Sequence, residues 1–360
     1  MSAGGEQAAL ERIDRARRRP RAFRDTHITT AHGAGGKATH ELIERLLVPV
    51  LGGGEQLAAL ADAAVLGVGG TSVAMTTDSF VVRPLRFPGG SIGELAVNGT
   101  VNDLAMVGAA PLALTLSLVL EEGLETEALR QEIAAAAAAA KSAGIEIVAG
   151  DTKVVGRDAA DGMYICTTGI GILDPRAALS PAGARPGDRL LVSGPIAEHG
   201  VAVMLARGEF ELGAAVCSDT RSLWPAVAAL LDACPGGLRS LRDPTRGGVA
   251  SALNELAQAS GTAIVVQEEL VPLAPAVGGA CELLGIDPMY VACEGRLLAI
   301  VAAEEAGVAL AALRSVEGGE EAAEIGAVEP DPAGIVLVQT AFGSRRVLDM
   351  LVGDPLPRIC

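Results

Sequence analysis

Residues 76–109 read TTDSFVVRPLRFPGGSIGELAVNGTVNDLAMVGA, and this stretch decides the fold prediction. It begins as an alternating strand that carries Asp78 and continues as a glycine-punctuated helix pattern. Beyond Glu94, the helix pattern is an apolar run that contains four polar residues: Asn98, Thr100, Asn102 and Asp103. Burying such groups is costly unless they are paired or bind a ligand. They therefore predict one wall of a binding site, with a hydrogen-bonded helix end as the alternative.

The alternation of strands and helices continues outward from this stretch. PLALTLSLVL, residues 111–120, predicts a half-buried strand whose alternate leucines share one face: Leu112, Leu114, Leu116, Leu118 and Leu120. A helix is predicted from Thr126 until Gly144 stops it. IEIVAGD then predicts a short buried strand that ends on Asp151.

The chain divides into two units at residues 174–188, which are rich in proline, glycine and turn formers. Helices over 199–207 and 247–259 and several strands, the last of them GIVLVQT, form the second unit. We therefore expect an α+β protein of two packed domains. The predicted boundaries are 1–27 for a disordered arginine-rich arm, 28–175 and 185–340 for the domains, and 341–360 for a mobile tail.

Composition excludes several classes of function. The 360 residues carry a formal net charge of −16, so the surface repels nucleic acid and acidic membranes. Six cysteines contain no CxxC pair, which argues against a zinc site and favours free thiols in a reducing cytoplasm. No apolar run is long enough to span a membrane, and the N-terminus has no signal-peptide pattern. We expect a soluble cytosolic protein, in which the basic arm is a solvated segment or, alternatively, a docking arm.

Acidic residues beside turns and strand ends are the strongest chemical signal. Five aspartates share this context: Asp62, Asp78, Asp103, Asp151 and Asp243. Magnesium bound to a triphosphate takes hard oxygen ligands from a few carboxylates, phosphates and water. Each aspartate alone is typical of a cap or turn, but the five together indicate a metal-phosphate site.

Two glycine-containing turns indicate phosphate binding. HGAGGK, residues 32–37, places Gly35, Gly36 and Lys37 before a helix, where backbone N–H groups can bind phosphate. It lacks the Walker A spacing, so a plain loop entering a helix is the alternative. RDPTRGG places Asp243 and Arg246 around a turn that opens another helix, which also suits phosphate.

Three further residues are candidates for the chemistry. Lys153 and Glu294 are ionisable residues between apolar stretches, where desolvation shifts a pKa toward acid-base work; the alternative is an ordinary surface charge. Cys360 is the last residue of the chain, behind Pro355 and Pro357. It does not fit a prenylation signal, because the lipidated cysteine stands fourth from the end.

These motifs, in this order, resemble the HypE family of hydrogenase maturation proteins. That family lies within the superfamily of aminoimidazole ribonucleotide synthetase and selenophosphate synthetase. The resemblance covers residues 28–360 and is carried by HGAGGKATHELI, residues 76–109, VAGDTKVV, SDTRSLWPAV, RDPTRGGVASALNELA, CELLGIDPMYVACEGR and the terminal LPRIC. The acids and the DPTRGG turn are shared across the superfamily, whereas the terminal PRIC selects the member.

The resemblance implies a two-domain PurM-like fold with a mobile tail and an ATP-dependent dehydratase. It implies that a carbamoyltransferase, HypF, loads a carbamoyl group onto Cys360, and that Mg²⁺ and ATP convert this thiocarboxamide into a thiocyanate. The cyano group then passes to iron on a HypC–HypD complex, as a cyanide ligand of the [NiFe]-hydrogenase centre. A homodimer formed through the N-terminal domain is also implied.

The resemblance further implies roles for individual residues. The five aspartates become magnesium and phosphate ligands, and the glycine loop lies near the nucleotide. Arg246 stabilises the transferring phosphoryl group, Glu294 removes a proton, and Lys153 orients the carbamoyl oxygen or the γ-phosphate. Two alternatives are a small-molecule kinase or synthetase on the same fold, such as a selenophosphate or thiamine-phosphate enzyme, and a nucleotide-sensing scaffold.

Overall fold

The computed structural model describes residues 23–208, apart from 53, 55, 56, 58 and 59, and residues 216–353. Most of the arginine-rich arm and the terminal residues 354–360, with Cys360, lie outside the described residues. The first described helix, α1, covers Lys37–Leu42 and continues through a π-helical stretch, Ile43–Leu47, to a last turn, Val48–Val50.

The N-terminal domain is built on a five-stranded sheet. In chain order it contains β1 (Ala64–Val68), β2 (Thr71–Phe80), the hairpin strands β3 (Arg86–Phe87) and β4 (Gly90–Ser91), α2 (Ile92–Met106), β5 (Ala109–Glu121), α3 (Thr126–Ser142), β6 (Glu146–Val155) and β7 (Met163–Leu173). The sheet order is β1-β2-β7-β5-β6, and all its pairs are antiparallel except β5 with β6. Helix α2 packs on the sheet, and α3 packs on α2.

Helix α2 is buried on nearly all sides, because it lies between its own sheet and the second domain. Glycine permits this close packing at two positions. A Cβ at Gly99 would lie 2.8 Å from the ring of Phe80, and a Cβ at Gly93 would lie 2.0 Å from the main-chain oxygen of Glu132. The glycine punctuation of residues 76–109 therefore reflects a helix packed against ring and backbone.

The C-terminal domain is built on a seven-stranded sheet. In chain order it contains β8 (Arg189–Val192), α4 (Glu198–Ala206), α5 (Trp224–Ala233), β9 (Leu238–Arg242), α6 (Gly248–Ser260), β10 (Ala263–Gln267), α7 (Pro275–Leu284), β11 (Leu298–Val301), α8 (Ala306–Arg314), β12 (Ala323–Glu329), β13 (Val336–Gln339) and β14 (Arg345–Val347). The sheet order is β14-β13-β10-β12-β8-β11-β9. The predicted boundary, residues 174–188, lies between β7 and β8.

Most predicted elements are confirmed, and two predictions about faces are wrong. The helices α3, α4 and α6 and the strand β13 lie where the sequence placed them. Leu112 is exposed while Leu114 is buried, because the register of β5 shifts between Pro111 and Ala113. The predicted buried strand that ends on Asp151 is β6, an exposed edge strand with Asp151 in its interior.

The predicted tail, residues 341–360, begins later than expected. Residues 345–347 form β14, which pairs with β13. Leu348 is fully buried, and Asn254 on α6 donates a hydrogen bond to its carbonyl oxygen at 2.8 Å. Met350 is buried as well. Packing therefore extends to at least Met350, because Leu348 joins the core of the C-terminal domain and Met350 is buried too.

Over the described part of the chain, none of the helices combines the length and the apolar character needed to cross a bilayer.

Candidate active site

Three of the predicted aspartates meet at the junction of the two domains. Asp62 precedes β1, Asp103 lies on α2, and Asp243 follows β9. One carboxylate oxygen from each lies within 4.8 Å of the other two. The sheet and α2 thus bring two acids from the N-terminal domain against one acid from the DPTRGG turn of the C-terminal domain.

Two more of the predicted acids line a small cavity beside this cluster. Asp78 comes from β2, and Glu294 comes from the loop before β11. The cavity has a volume of about 30 Å³ and is lined by Asp78, Ser79, Phe80, Gly99, Asp103, Asp243, Thr245, Arg246 and Glu294. It has room for an ion and a water molecule, whereas a nucleotide would have to reach it from outside.

The electrostatics of the cavity favour a bound cation. Burial, followed by the charges of Asp243, Asp62 and Asp78, raises the pKa of Asp103 well above its usual value. Burial and Asp62 likewise raise the pKa of Asp243. The Oε1 atom of Glu294 is buried and has no hydrogen-bond partner among the described residues. Clustered hard oxygen donors with an unsatisfied carboxylate fit Mg²⁺, which prefers such ligands.

The positive charge of Arg242 offsets part of the negative charge of the acid cluster. Its guanidinium lies 2.7 Å from Asp62 Oδ1 and also pairs with Glu255. Thr76 donates a hydrogen bond of 2.8 Å to Asp103 Oδ2. Asp62 therefore already has a cationic partner, which leaves Asp78, Asp103 and Asp243 as the better candidates for direct metal ligands.

The glycine loop packs against the DPTRGG turn. Gly35 has a φ of +75°, and a Cβ there would lie 2.5 Å from the main-chain oxygen of Arg246. Ser251 on α6 donates to the carbonyl of Gly35 at 2.8 Å, and Arg246 donates to the carbonyl of Gly33 at 3.1 Å. Since Arg246 also lines the cavity, the loop and the acids belong to one site.

Gly36 and Lys37 contact the segment that leads to the tail. The backbone N–H of Lys37 donates to the carbonyl of Leu351 at 3.0 Å. A Cβ at Gly36 would lie 2.5 Å from the same oxygen. The ammonium group of Lys37 lies 2.6 Å from Asp349 Oδ2. The lysine predicted to bind phosphate is thus paired with an acid from the C-terminal segment.

The three polar residues predicted to form the nucleotide wall are used inside the protein. Thr100 is fully buried and hydrogen-bonds to Thr167. Asn98 donates to Thr220 Oγ1 at 3.3 Å, and the amide of Asn102 bonds to the backbone of the C-terminal domain. All three side chains thus have partners within the protein, as the alternative of a hydrogen-bonded helix requires, and their place in the wall of a nucleotide site stays a prediction.

Asp151 and Lys153 lie away from the acid cluster within one protomer. Both are exposed on the edge strand β6, and the Lys153 ammonium pairs with the Asp151 carboxylate at 2.8 Å. That pairing lowers the pKa of Asp151. Neither residue lines the cavity within one protomer, so the roles of Asp151 as a ligand and of Lys153 in the site stay predictions. Cys360 falls outside the described residues.

Sequence reasoning missed Asp219 and Arg242. Asp219 is buried and accepts a hydrogen bond of 3.0 Å from the backbone N–H of Glu294. Both residues stand in quoted motifs, SDTR and RDPTRGG, so the available signal was an ionisable residue next to an assigned one. The partners of each come from distant parts of the chain.

The fold and the junction site define an AIR synthase related protein. The family model of the N-terminal domain of these proteins matches residues 60–173, and that of the C-terminal domain matches residues 185–339. The chain is 48% identical over 341 residues to a carbamoyl dehydratase HypE of Rhodobacter capsulatus, covering 94% of this chain and all of that protein. It therefore belongs to the carbamoyl dehydratase HypE family.

Solved structures agree with this assignment. A crystal structure of a HypE–HypF complex matches with a TM-score of 0.82 and 42% identity, covering 86% of this chain and 99% of that one. A HypE crystal structure in complex with ATP matches with a TM-score of 0.78 and 46% identity, covering 91% of this chain and 98% of that one.

Proposed function

We propose that this protein is an ATP-dependent carbamoyl dehydratase that converts an S-carbamoyl group on its own Cys360 into a thiocyanate. The observation that supports this most directly is the acid cavity beside the glycine loop in a chain of the HypE family. A HypE has been solved with ATP, and this chain has the residues to receive the same nucleotide. The product supplies the cyanide ligands of the iron in a [NiFe]-hydrogenase.

The residues present fit a magnesium nucleotide. Asp78, Asp103 and Asp243 would hold Mg²⁺, which neutralises phosphate charge when bound. The glycine loop lies beside the phosphates in this proposal, where the N–H of Lys37 would exchange its bond to the Leu351 carbonyl for one to a phosphate oxygen. Arg246, on the rim of the cavity, stabilises the negative charge of the phosphoryl group during transfer.

The chemistry proceeds in two balanced steps. The carbamoyl oxygen attacks the γ-phosphorus of ATP, so that a C–O–P bond forms, ADP leaves and the nitrogen loses one proton. The C–O bond then breaks, inorganic phosphate departs with that oxygen, and loss of the second N–H proton leaves S–C≡N. The net reaction consumes ATP and yields ADP, phosphate, one proton and the thiocyanate. Phosphorylation is needed because hydroxide is a poor leaving group.

Glu294 is the proposed proton acceptor. Burial, followed by the charges of Asp243, Asp219 and Asp78, raises its pKa well above the usual value, so its carboxylate is a stronger base than an exposed one. Its unpartnered Oε1 is free to accept the proton. Lys153 lies on the exposed sheet edge, and its proposed role in orienting the reacting oxygen therefore depends on a second protomer.

We also propose a homodimer through the N-terminal sheet. Apolar side chains are exposed on the outer face of β1, β2 and β7: Leu66, Val68, Met75, Ile170 and Ile172. The surface is apolar and continuous across paired strands, so a second copy would remove it from water. Sedimentation as a monomer at micromolar concentration would contradict the dimer.

Partners and location follow from the chemistry. A HypE–HypF complex has been solved, and we propose that HypF carbamoylates Cys360 here and that a HypC–HypD complex accepts the cyano group on iron. The described cysteines are free thiols, which supports the cytoplasm as the place of action. Nucleic acid and membranes are not proposed as partners, given the net charge of −16.

ATP turnover tests the proposal. The protein incubated with HypF and carbamoyl phosphate should form one ADP per thiocyanate, beyond the ATP that HypF consumes. The variant Cys360→Ala should form neither product. ADP formation that is equal with and without a carbamoylated tail would favour a kinase or a scaffold instead.

A further inference from the structure

We infer that Asn102 is a positioning residue that holds Glu294 over the acid cavity. The side chain of Asn102 comes from α2 of the N-terminal domain, and its amide nitrogen donates to the carbonyl oxygen of Glu294 at 3.1 Å. The inference rests on the proposed role of Glu294 as the proton acceptor.

Asn102 uses both amide hydrogens and its side-chain oxygen in hydrogen bonds to the C-terminal domain. Besides Glu294, its amide nitrogen donates to the carbonyl of Arg221 at 3.0 Å, and its oxygen accepts from the backbone N–H of Leu223 at 2.8 Å. The residue is almost fully buried. An asparagine amide has two donor hydrogens and one acceptor oxygen, so it can bind two backbone carbonyls and one backbone N–H at the same time.

The backbone of Glu294 is held from both sides. Asp219 Oδ1 accepts its N–H at 3.0 Å, while Asn102 binds its carbonyl. The next residue, Gly295, is packed so tightly that a Cβ would lie 1.8 Å from the carbonyl oxygen of Asp219. The side chain of Glu294 is buried, but its Oε1 has no hydrogen-bond partner among the described residues. Its place in the cavity is therefore set by its backbone.

Asn102 also fixes Glu294 relative to the metal-binding acids. It precedes Asp103 on α2, so one turn of helix carries both an acid of the cluster and the residue that binds the backbone of Glu294. The two domains could shift at this junction only by breaking the Asn102 bonds. The asparagine thereby sets the separation of acid and base, which come from different domains.

The test is a double-mutant cycle on dehydration, measured with full-length protein, HypF in excess, carbamoyl phosphate and saturating ATP. Asn102→Ala should slow thiocyanate formation by about 10- to 100-fold, because small displacements of a base are costly. Glu294→Gln should slow it by about 10²- to 10⁴-fold. The double variant should be no slower than Glu294→Gln alone, because Asn102 acts through Glu294. The ATP concentration for half-maximal rate should not change in Asn102→Ala.

The control is Asn98→Ala, which removes another buried hydrogen bond from α2 to the C-terminal domain, at Thr220, without touching Glu294. In the double variant of Asn98→Ala and Glu294→Gln, the fold-losses in the rate of thiocyanate formation should multiply, because Asn98 does not act through Glu294. Asn102→Ser, which keeps a hydroxyl donor, is measured in parallel in case Asn102→Ala unfolds, with thermal unfolding as the check.

Two results would overturn the inference and can be told apart. In the first, Glu294→Gln is slow and the double variant is slower still, by the product of the two single effects. That result would leave Glu294 as the base and refute the role of Asn102. A Glu294→Gln protein that dehydrates at the wild-type rate would refute both assignments.

Discussion

The ammonium group of Lys37 lies 2.6 Å from Asp349 Oδ2, so the glycine loop is bonded to the segment that leads to the C-terminus. The two side chains are about 40% exposed, so their pairing contributes at most about 1 kcal/mol to stability. A phosphate that arrives at the loop competes with Asp349 for the same ammonium group. If the loop binds phosphate as proposed, ATP binding and the segment around Asp349 are coupled through this ion pair.

This coupling predicts opposite effects for the two partners. Asp349→Asn frees Lys37 for phosphate and should tighten ATP binding by about two- to fivefold. Lys37→Ala should weaken ATP binding, because a phosphate-binding charge is lost. Isothermal titration with Mg-ATP measures both. Equal weakening in the two variants would mean that the ion pair only maintains the shape of the loop.

Gly35→Ala should damage the site through the backbone. The residue has a φ of +75°, and a new Cβ would lie 2.5 Å from the main-chain oxygen of Arg246, which cannot move away cheaply. We expect a loss of at least about 2 kcal/mol in the free energy of unfolding and loss of ATP binding. Gly33→Ala is the matched control, because a Cβ at that position meets nothing within 4 Å. Comparable losses in both variants would contradict the packing argument.

Asp103→Asn should stabilise the metal-free protein while abolishing activity. Burial and three neighbouring acids raise the pKa of Asp103, and the amide removes that repulsion but can still accept from Thr76. We expect a gain of about 1–2 kcal/mol in the free energy of unfolding without metal, and loss of the stabilisation by millimolar Mg²⁺. Glu282→Gln, exposed on α7 away from the cavity, should change neither. A destabilised Asp103→Asn protein that still responds to Mg²⁺ would refute the site.

The same acids predict how stability depends on pH without metal. Their pKa values in the folded state lie above the ordinary carboxyl value near 4. At a pH between the unfolded and the folded pKa values, the folded state therefore binds more protons than the unfolded state. The free energy of unfolding should therefore rise as the pH falls from 8 toward about 5. Urea titrations in EDTA measure it, and Mg²⁺ should flatten the curve. A metal-free protein that loses stability over this range would contradict the raised pKa values.

The sequence predicted the helices and strands better than it predicted where each candidate site residue lies in the fold. Asp62, Asp103 and Asp243 were recognised from their turns, and the structure brings them together. Asp151 had the same local pattern, yet β6 lies at the edge of the sheet. Strand order depends on long-range pairing, which a local pattern does not contain. This is why the local pattern alone does not separate Asp151 from the three aspartates that meet within one protomer.

The polar residues of α2 show a second limit. The helix pattern showed that Asn98 and Asn102 would be buried and need partners, but not whether those partners belonged to a ligand or to the protein. The second domain supplies them. A helix enclosed on all sides has no solvent face, so periodicity could not assign its polar positions.

The mass of the C-terminal peptide tests the central claim most directly. After incubation with HypF, carbamoyl phosphate and ATP, the peptide that ends in Cys360 should gain one carbamoyl group and then lose one water, and both states should be absent in Cys360→Ala. In Glu294→Gln the carbamoylated peptide should accumulate. A carbamoylated tail that never loses water in the wild-type protein with Mg-ATP, or a tail that HypF leaves unmodified while active, would contradict the account.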